Sequence, residues 1–353
     1  MRAIIIAGGS GTRLRPLTYH TPKPMVPLFN KPFLQYQIEM LRRHGIKEIV
    51  INLHYLADAI KDYFGDGSSL GVKLFYSFEK APLGTAGAVK NAEEFFDDEP
   101  LVVLNGDILT DLDLTALIER HRSRQAVATL SLIRVTDPTA YGLVFTADDG
   151  RIYRFLEKPS WDEATVDTVN AGIYVLDPSV FQFVPKDEPY SFERGLFPHL
   201  LHINSPVYSY ITEDYWLDIG SPSKYMQAHV DILKKHVEVE LDATEVKPGI
   251  YLGKDVEIDP SAELLGPLFL GDRVRLAKGV KINEFSVLNS GVSVGENSAL
   301  QHSLLWSDTV VGNEVTLNTA MVGRHSFIGD HCRVDAPLVL PDESRLEVGT
   351  LIG

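Results

Sequence analysis

The sequence predicts an α/β domain built on a mixed sheet, followed by a parallel β-helix. Two observations carry this. Over roughly the first two-thirds, short apolar runs alternate with segments of helical period, which implies βαβ units around an open sheet. From Leu252 onward the apolar period becomes six, which belongs to neither an α-helix nor an alternating strand. A length of 353 residues, at roughly 100–200 residues per domain, fits the resulting division into residues 1–240 and 241–353.

Ala3–Ala7 reads as the first strand. Pro32–His44 reads as a helix whose Leu34, Ile38 and Leu41 share one face, and Gly45 ends it. Glu48–Leu53 is the second strand, Ala57–Phe64 a helix, and Val72–Phe78 the third strand. Thr85 is placed to cap a helix over Ala86–Phe96. Leu101–Leu104 is apolar at every position, as in a strand covered on both faces. Thr129–Val135, Ile152–Leu156 and Ala171–Leu176 add strands, which makes the sheet mixed, and a helix near Ser221–Lys235 closes the half.

In the second half, Leu252, Ile258, Leu264, Leu270, Leu276, Ile282, Leu288, Val294, Leu300 and Trp306 fall at one phase. A small or apolar residue follows four positions after each, and Gly253, Gly271 and Gly295 mark turns. The phase slips by one at Val311 and again at Val322, then runs through Ile328 and Val334. This is the pattern of a hexapeptide β-helix of about five coils, each with three faces of about six residues. A β-sandwich with regular turns would have to match the phase ten times running.

With 33 basic and 48 acidic residues the chain carries a formal charge of −15, which argues against nonspecific nucleic-acid binding. A hydrophobic content of 44% excludes disorder. Cys332, the single cysteine, cannot form an internal disulfide and points to a reducing compartment. The apolar N-terminal run is shorter than a signal peptide core, and no run approaches a membrane span. A cytoplasmic protein with no membrane partner is expected.

After the first strand, Ala7 leads into Gly8-Gly9-Ser10-Gly11-Thr12-Arg13-Leu14-Arg15-Pro16. Glycines let backbone N–H groups close around a phosphate, and arginine adds charge-assisted bonds. The run lacks the third glycine of a dinucleotide fingerprint, and no Gly-Lys-Ser/Thr of a Walker A loop occurs. A plain glycine turn is the alternative, but Pro22 and Pro24 clamp Lys23 shortly downstream, which a solvated surface lysine does not need.

Gly-Gly-x-Gly-Thr-Arg-Leu-x-Pro-Leu-Thr followed by Pro-Lys-Pro resembles the signature of sugar-1-phosphate nucleotidyltransferases. The resemblance runs on through Leu83–Gly87, Asn105-Gly106-Asp107, Glu157-Lys158-Pro159, Asn170-Ala171-Gly172 and Trp216–Gly220, so it covers about the first 230 residues. It implies a Rossmann-like catalytic domain and a left-handed β-helix, the form in which hexapeptide tails occur in the family. Pro-Lys-Pro-Met and the Leu-Gly-Thr-Ala-Gly loop look most like mannose-1-phosphate guanylyltransferases, enzymes of nucleotide-sugar biosynthesis. The implied reaction joins a nucleoside triphosphate to a sugar 1-phosphate and releases pyrophosphate, with no covalent intermediate. GTP and mannose 1-phosphate are the expected substrates, and glucose-1-phosphate thymidylyl or uridylyl transfer is the alternative.

By the same resemblance, Arg13, Lys23, Asp107, Lys158 and Asp218 form the catalytic set. The nucleotide contacts are Ala7 through Arg13, Glu79, Leu83, Gly84, Thr85, Asn105 and Gly106, and the sugar-phosphate contacts are Tyr141, Gly142, Glu157, Lys158 and Asn170. Asp107 lies just past an apolar strand, where an open α/β sheet presents ligands, and a carboxylate there suits Mg²⁺. Asp218 is the second acid that the resemblance assigns to the metal. A solvated or capping role is the alternative for either, while Asp111 and Asp113 read as solvated. Glu79 stands where thymidylyl and uridylyl relatives carry Gln; its carboxylate only accepts, which suits the N1–H and N2–H₂ donors of guanine. A surface glutamate is the alternative, as a turn amide is for Asn170. His302, His325 and His331 raise the further possibility of acetyl transfer in the β-helix. That domain's expected roles are support and homo-oligomerisation.

Overall fold

Short β-branched and apolar runs bounded by Gly, Pro or Asp form strands throughout, and the computed structural model describes residues 1–157 and 159–353. The chain divides into two compact units. One comprises Met1–Ser10 with Leu34–Asp218, the other Gly11–Phe33 with Ile219–Gly353.

In the first unit, β1 (Ala3–Ile6), β2 (Glu48–Leu53), β3 (Lys73–Phe78) and β4 (Leu101–Asn105) run parallel in the order β4-β1-β2-β3. Leu101 to Leu104 are wholly buried, as a strand covered on both faces requires. The remaining strands of the unit are β5 (Ile108–Thr110), β6 (Ala128–Arg134), β7 (Gly142–Thr146), β8 (Ile152–Glu157), β9 (Thr168–Leu176), β10 (Val207–Ile211) and β11 (Trp216–Asp218). Among the described residues, nine strands join one mixed sheet, in which β9 runs antiparallel to β4, β6 and β7. The C-terminal half of β9 pairs with β4, whereas Val169 near its start pairs with Leu143 of β7. Between these two pairings the β9–β6 register breaks from Asn170 to Tyr174, and Gly172 turns to φ +77°. The sheet opens at this break.

The helices follow the apolar spacing. In α1 (Phe33–Arg43), Leu34, Ile38 and Leu41 are fully buried, and Gly45 at φ +80° ends it. α2 spans Ala57–Phe64. The next helix departs from expectation: α3 spans Gly84–Asn91, and Thr85 does not cap it. The backbone N–H groups of Ala86 and Gly87 instead donate to the Tyr190 carbonyl at 3.0 Å each, so a distant segment satisfies the helix start. α4 (Leu114–Ser123) was not foreseen; Asp113 caps it by accepting the Ala116 N–H at 3.1 Å. α5 is the short Phe197–His202.

In the second unit, α6 (Pro222–Leu233) is capped by the Ser221 hydroxyl, and the remainder is the β-helix. Three parallel ladders of six short strands make its faces, one coil more than the sequence suggested; the extra Thr244–Lys247 strand pairs antiparallel at one end. Leu252 stacks on Leu270 and Leu270 on Leu288, a step of 18 residues. The next step is Leu288 on Leu305, a residue shorter. The first slip therefore falls between Leu300 and Leu305, not at Val311, and Trp306 lies outside the stacked phase although it is fully buried. The second slip is at Val322, as the sequence indicated. Corners recur with left-handed backbone at Asp255, Arg273, Gly291, Asp308, His325 and Glu343, one per coil. Gly295 fits its position because an added Cβ would lie 2.5 Å from the Gly312 carbonyl of the next coil.

Candidate active site

The first unit gathers three groups of the expected residues. At the carboxyl end of β1, Gly8 is hemmed in: a Cβ there would lie 3.1 Å from Glu79 Oε1, and 3.3 Å from both Asn52 Oδ1 and His54. Glu79 is buried, not a surface residue, and its Oε2 accepts the Leu83 N–H at 2.7 Å. Burial pushes its carboxyl above the usual range, against the pull of the Leu83 N–H, His54 and Asn52. The His54 Nδ1–H donates to the Glu79 carbonyl at 2.9 Å. Asn52 spends its Nδ2 on the Ala88 carbonyl, leaving a buried Oδ1 without a partner among the described residues. Gly106 brings β4 against β1, since a Cβ there would sit 2.5 Å from the Ile6 carbonyl. Gly84 faces the Tyr190 carbonyl, and the Thr85 hydroxyl accepts the Phe192 N–H at 2.8 Å and donates to Glu193 at 3.1 Å.

The second group lies along the opening of the sheet. Gly142 and Glu157 are cross-strand partners of β7 and β8, and a Cβ on Gly142 would meet Glu157 Oε2 at 2.8 Å. The Asn170 side-chain Oδ1 accepts the Gly172 N–H at 3.1 Å, and its Nδ2 donates to the Tyr174 hydroxyl at 2.8 Å. Asn170 is thus a turn amide that also ties down the register break. Tyr174 is fully buried and its hydroxyl donates to Glu193 at 3.3 Å. Burial holds Tyr174 well above its ordinary pKa, with Glu193 and Glu157 adding to it. Sequence reasoning missed Asn52, Tyr174 and Glu193. Glu193 sits in the π-helical turn Phe192–Leu196, for which no sequence signal exists, whereas Asn52 was visible as a polar residue inside an apolar strand. Lys158 lies outside the described residues.

The third group is the acid pair. β11 pairs antiparallel with β5, and Asp218 stands opposite Ile108, the residue after Asp107. Two segments over 100 residues apart in sequence therefore bring both carboxyl-bearing residues to one end of a short ladder. Both are half-buried. The Tyr141 hydroxyl donates to Asp218 Oδ1 at 3.2 Å; its ring packs edge-on to Trp216 at 5.4 Å, and Trp216 donates to the Ala171 carbonyl at 2.8 Å. Asp111 is not merely solvated, since it accepts the Tyr215 N–H at 2.9 Å and so supports β11. Among the described residues no group of three or more His, Cys, Asp or Glu could hold a metal ion. Two carboxylate residues at this end of the ladder would suit a hard divalent cation that takes its other ligands from water and phosphate.

The cationic segment belongs to the second unit. Gly11, at φ +62°, lies under Lys23, where a Cβ would be 3.0 Å from the Lys23 Cβ, and the Thr18 hydroxyl donates to the Gly11 carbonyl at 2.8 Å. Arg13 is exposed in the short turn Thr12–Leu14, and Lys23 is half-buried between the buried Pro22 and Pro24. On the β-helix, His331 lies 3.2 Å from Glu314 and His325 3.9 Å from Asp308, all of them exposed corner residues.

Residues 2–235 match the nucleotidyl transferase family model. The chain is 36% identical over 342 residues to a UTP–glucose-1-phosphate uridylyltransferase of Synechocystis sp., covering 92% of this chain and 88% of that protein. It is 36% identical over 298 residues to a mannose-1-phosphate guanylyltransferase of Mycobacterium tuberculosis, covering 79% of this chain and 82% of that protein. Among solved structures, HddC from Yersinia pseudotuberculosis complexed with GMP-PN is 32% identical, with a TM-score of 0.56 over 64% of this chain and 97% of that one. No helix among the described residues is long and apolar enough to cross a membrane.

Proposed function

We propose the following reaction for this chain, which belongs to the nucleotidyl transferase family: GTP and mannose 1-phosphate give GDP-mannose and pyrophosphate. The chain is a sugar-1-phosphate nucleotidyltransferase, and the choice of base and sugar is the proposal. The observation that carries guanine is the buried Glu79 carboxylate beside Gly8. One of its oxygens is taken by Leu83, while the other faces the end of the β1 loop. An acceptor there matches the guanine N1–H and N2–H₂ edge. The Synechocystis relative supports a second reading, uridylyl transfer to glucose 1-phosphate. A pyrophosphate-release screen of several nucleoside triphosphates against several sugar 1-phosphates tests both: clear preference for UTP or dTTP overturns the guanine reading.

An anionic oxygen of the sugar 1-phosphate attacks the α-phosphorus in line. The new O–P bond forms as the α–β bridging bond breaks, and pyrophosphate leaves with the bonding pair. The nucleophile is already ionised at pH 7, so no side chain has to take a proton. The work left to the protein is positioning and charge neutralisation. Arg13 and the backbone N–H groups of Gly8 to Thr12 would hold the triphosphate and then the leaving pyrophosphate. Lys23 and Lys158 would offset charge on the two substrates. Glu157 and Asn170, with Tyr141 and Gly142, would take the sugar hydroxyls. A divalent cation, Mg²⁺ in this reading, would be held by Asp107 and Asp218 and would supply neutralisation of the phosphates where they meet. We also propose that the catalytic and repeat modules divide near residue 240, that the enzyme works in the cytoplasm, and that the β-helix mediates homo-oligomerisation.

A further inference from the structure

We infer that Arg324 of the β-helix is a positioning residue for the cation-bearing segment Thr21–Lys23, so that the repeat module takes part in nucleotide turnover.

Thr21 is buried, and its hydroxyl is held from two coils of the β-helix. Arg324 Nη1 donates to it at 2.7 Å, and it donates in turn to Asp342 Oδ2 at 3.3 Å. Arg324 and Asp342 face each other at 3.8 Å, and Asp342 Oδ1 accepts the Arg324 backbone N–H at 2.7 Å. The guanidinium carbon lies over the Trp306 ring, 5.0 Å from its centroid. Trp306 Nε1 donates to the Tyr225 hydroxyl at 3.1 Å, and that hydroxyl donates to the Pro27 carbonyl. Further along, Asn30 Oδ1 accepts the Ser290 N–H at 3.2 Å, and Phe29 meets Phe269 edge-on at 4.9 Å.

The backbone bond from Arg324 to Asp342 repeats that from Lys254 to Asp272 at the same coil position, but the side chains of Trp306 and Arg324 follow no repeat. At the coil position of Trp306 the neighbouring coils carry Gly271, Asn289 and Gly323. At that of Arg324 they carry Ser290, Ser307 and Asp342. Trp306 also stays out of the β-helix's own apolar cluster. These two positions depart from the repeat where Thr21 and Pro27 are held.

From Thr21 to Lys23 the chain has little freedom. Pro22 fixes its φ near −62°, the Met25 N–H donates to the Pro22 carbonyl at 2.8 Å, and the Val26 N–H donates to the Lys23 carbonyl at 3.2 Å. Holding Thr21 therefore holds Lys23 and the Gly11 turn packed beneath it. A displaced lysine would weaken only what it neutralises, and the inference rests on the phosphate role proposed for it above.

The test uses the full chain, with Arg324→Ala, Thr21→Val, the double variant, Arg324→Lys, and Arg275→Ala as a control on an exposed pair with Glu257. We expect kcat/KM for the nucleotide to fall about tenfold in each single variant and no further in the double, as for groups acting through one another. The KM for the sugar 1-phosphate should stay within about twofold. Arg324→Lys should recover most of the loss, and Arg275→Ala should match the wild type. Hydrogen exchange gives a readout independent of the reaction: amides of residues 21–26 should exchange faster in Arg324→Ala. Unchanged exchange, multiplying losses in the double variant, or equal losses for both substrates would overturn the inference. A wild type that releases no pyrophosphate with any nucleotide would instead overturn the proposed reaction, while the exchange result would still decide whether Arg324 holds the segment.

Discussion

His229 on α6 is wholly buried, its Nδ1–H donating to the Tyr225 carbonyl at 2.9 Å and its Nε2 accepting the Phe29 N–H at 3.4 Å. Both bonds need the neutral ring with its proton on Nδ1, and burial lowers its pKa from 6.5 to about 4. The unfolded chain takes a proton below pH 6.5, while the folded chain refuses it until about pH 4. The histidine's contribution is therefore complete above pH 6.5 and is lost as the pH falls from there. The slope is about 1.4 kcal/mol per pH unit, or about 3 kcal/mol by pH 4. His229→Gln keeps a donor and an acceptor but cannot titrate. At neutral pH it should cost about 1 kcal/mol for less favourable hydrogen bonds. Trp306 reports on the same unit, so its fluorescence can follow urea unfolding in a Trp161→Phe, Trp216→Phe background. Expected is a wild type that is more stable at neutral pH but loses stability faster on acidification, until the two curves cross. Parallel curves would refute the reasoning, because every other titrating group is common to both proteins.

Asp107→Asn should abolish pyrophosphate release while leaving thermal unfolding unchanged; near-normal turnover would remove Asp107 from the metal site. If Glu79 accepts from guanine as proposed, it does so only when ionised; burial raises its pKa, so the KM for GTP should climb with falling pH while still above the ordinary carboxylate range. In Glu79→Gln that limb should vanish and the KM for GTP should be high at every pH; an unaltered profile would assign the titration elsewhere. Gly106→Ala forces a methyl to 2.5 Å from the Ile6 carbonyl, so β1 and β4 must part. A loss of about 1–3 kcal/mol in unfolding experiments is expected, and wild-type stability would mean that the strands approach less closely than described.

The hexapeptide period was legible because every coil solves the same steric problem with the same residues, so Leu252, Leu270 and Leu288 announce a stack before any coordinates. The place of the slip was not. Trp306 is apolar and buried and so keeps the phase going in sequence, yet its ring meets the Tyr225 hydroxyl and the Arg324 guanidinium and stays out of the stacked apolar column. Burial leaves the same mark on a sequence whichever core supplies it. The start of α3 was misread for a related reason: the N–H groups that a local cap would satisfy go to the Tyr190 carbonyl, about 100 residues away. Asp107 stood out as a candidate by its place after an apolar strand. Its neighbour across the ladder did not, since nothing near residue 218 encodes the pairing with Ile108 except the resemblance to a family.

The residues that sequence reasoning found hardest are those where the first unit breaks its own rules. β9 could have continued as a regular strand; instead it carries Gly172 at φ +77° and spends the Asn170 side chain on holding the bend. A Cβ at Gly172 would lie 2.6 Å from Asn105 Nδ2, so the bend also depends on the end of β4. Tyr174 and Glu193, both missed, support it: the buried Tyr174 hydroxyl accepts from Asn170 and donates to the half-buried Glu193. A glycine takes this φ without strain, so what the bend costs is the ladder pairing lost at the break. What it yields is an opening in an otherwise continuous sheet, flanked by Gly142 and Glu157 on one side and by Asn105 on the other. A bend of this kind, held by side-chain hydrogen bonds and sited where strands part, supports the proposed sugar-phosphate cleft independently of any motif.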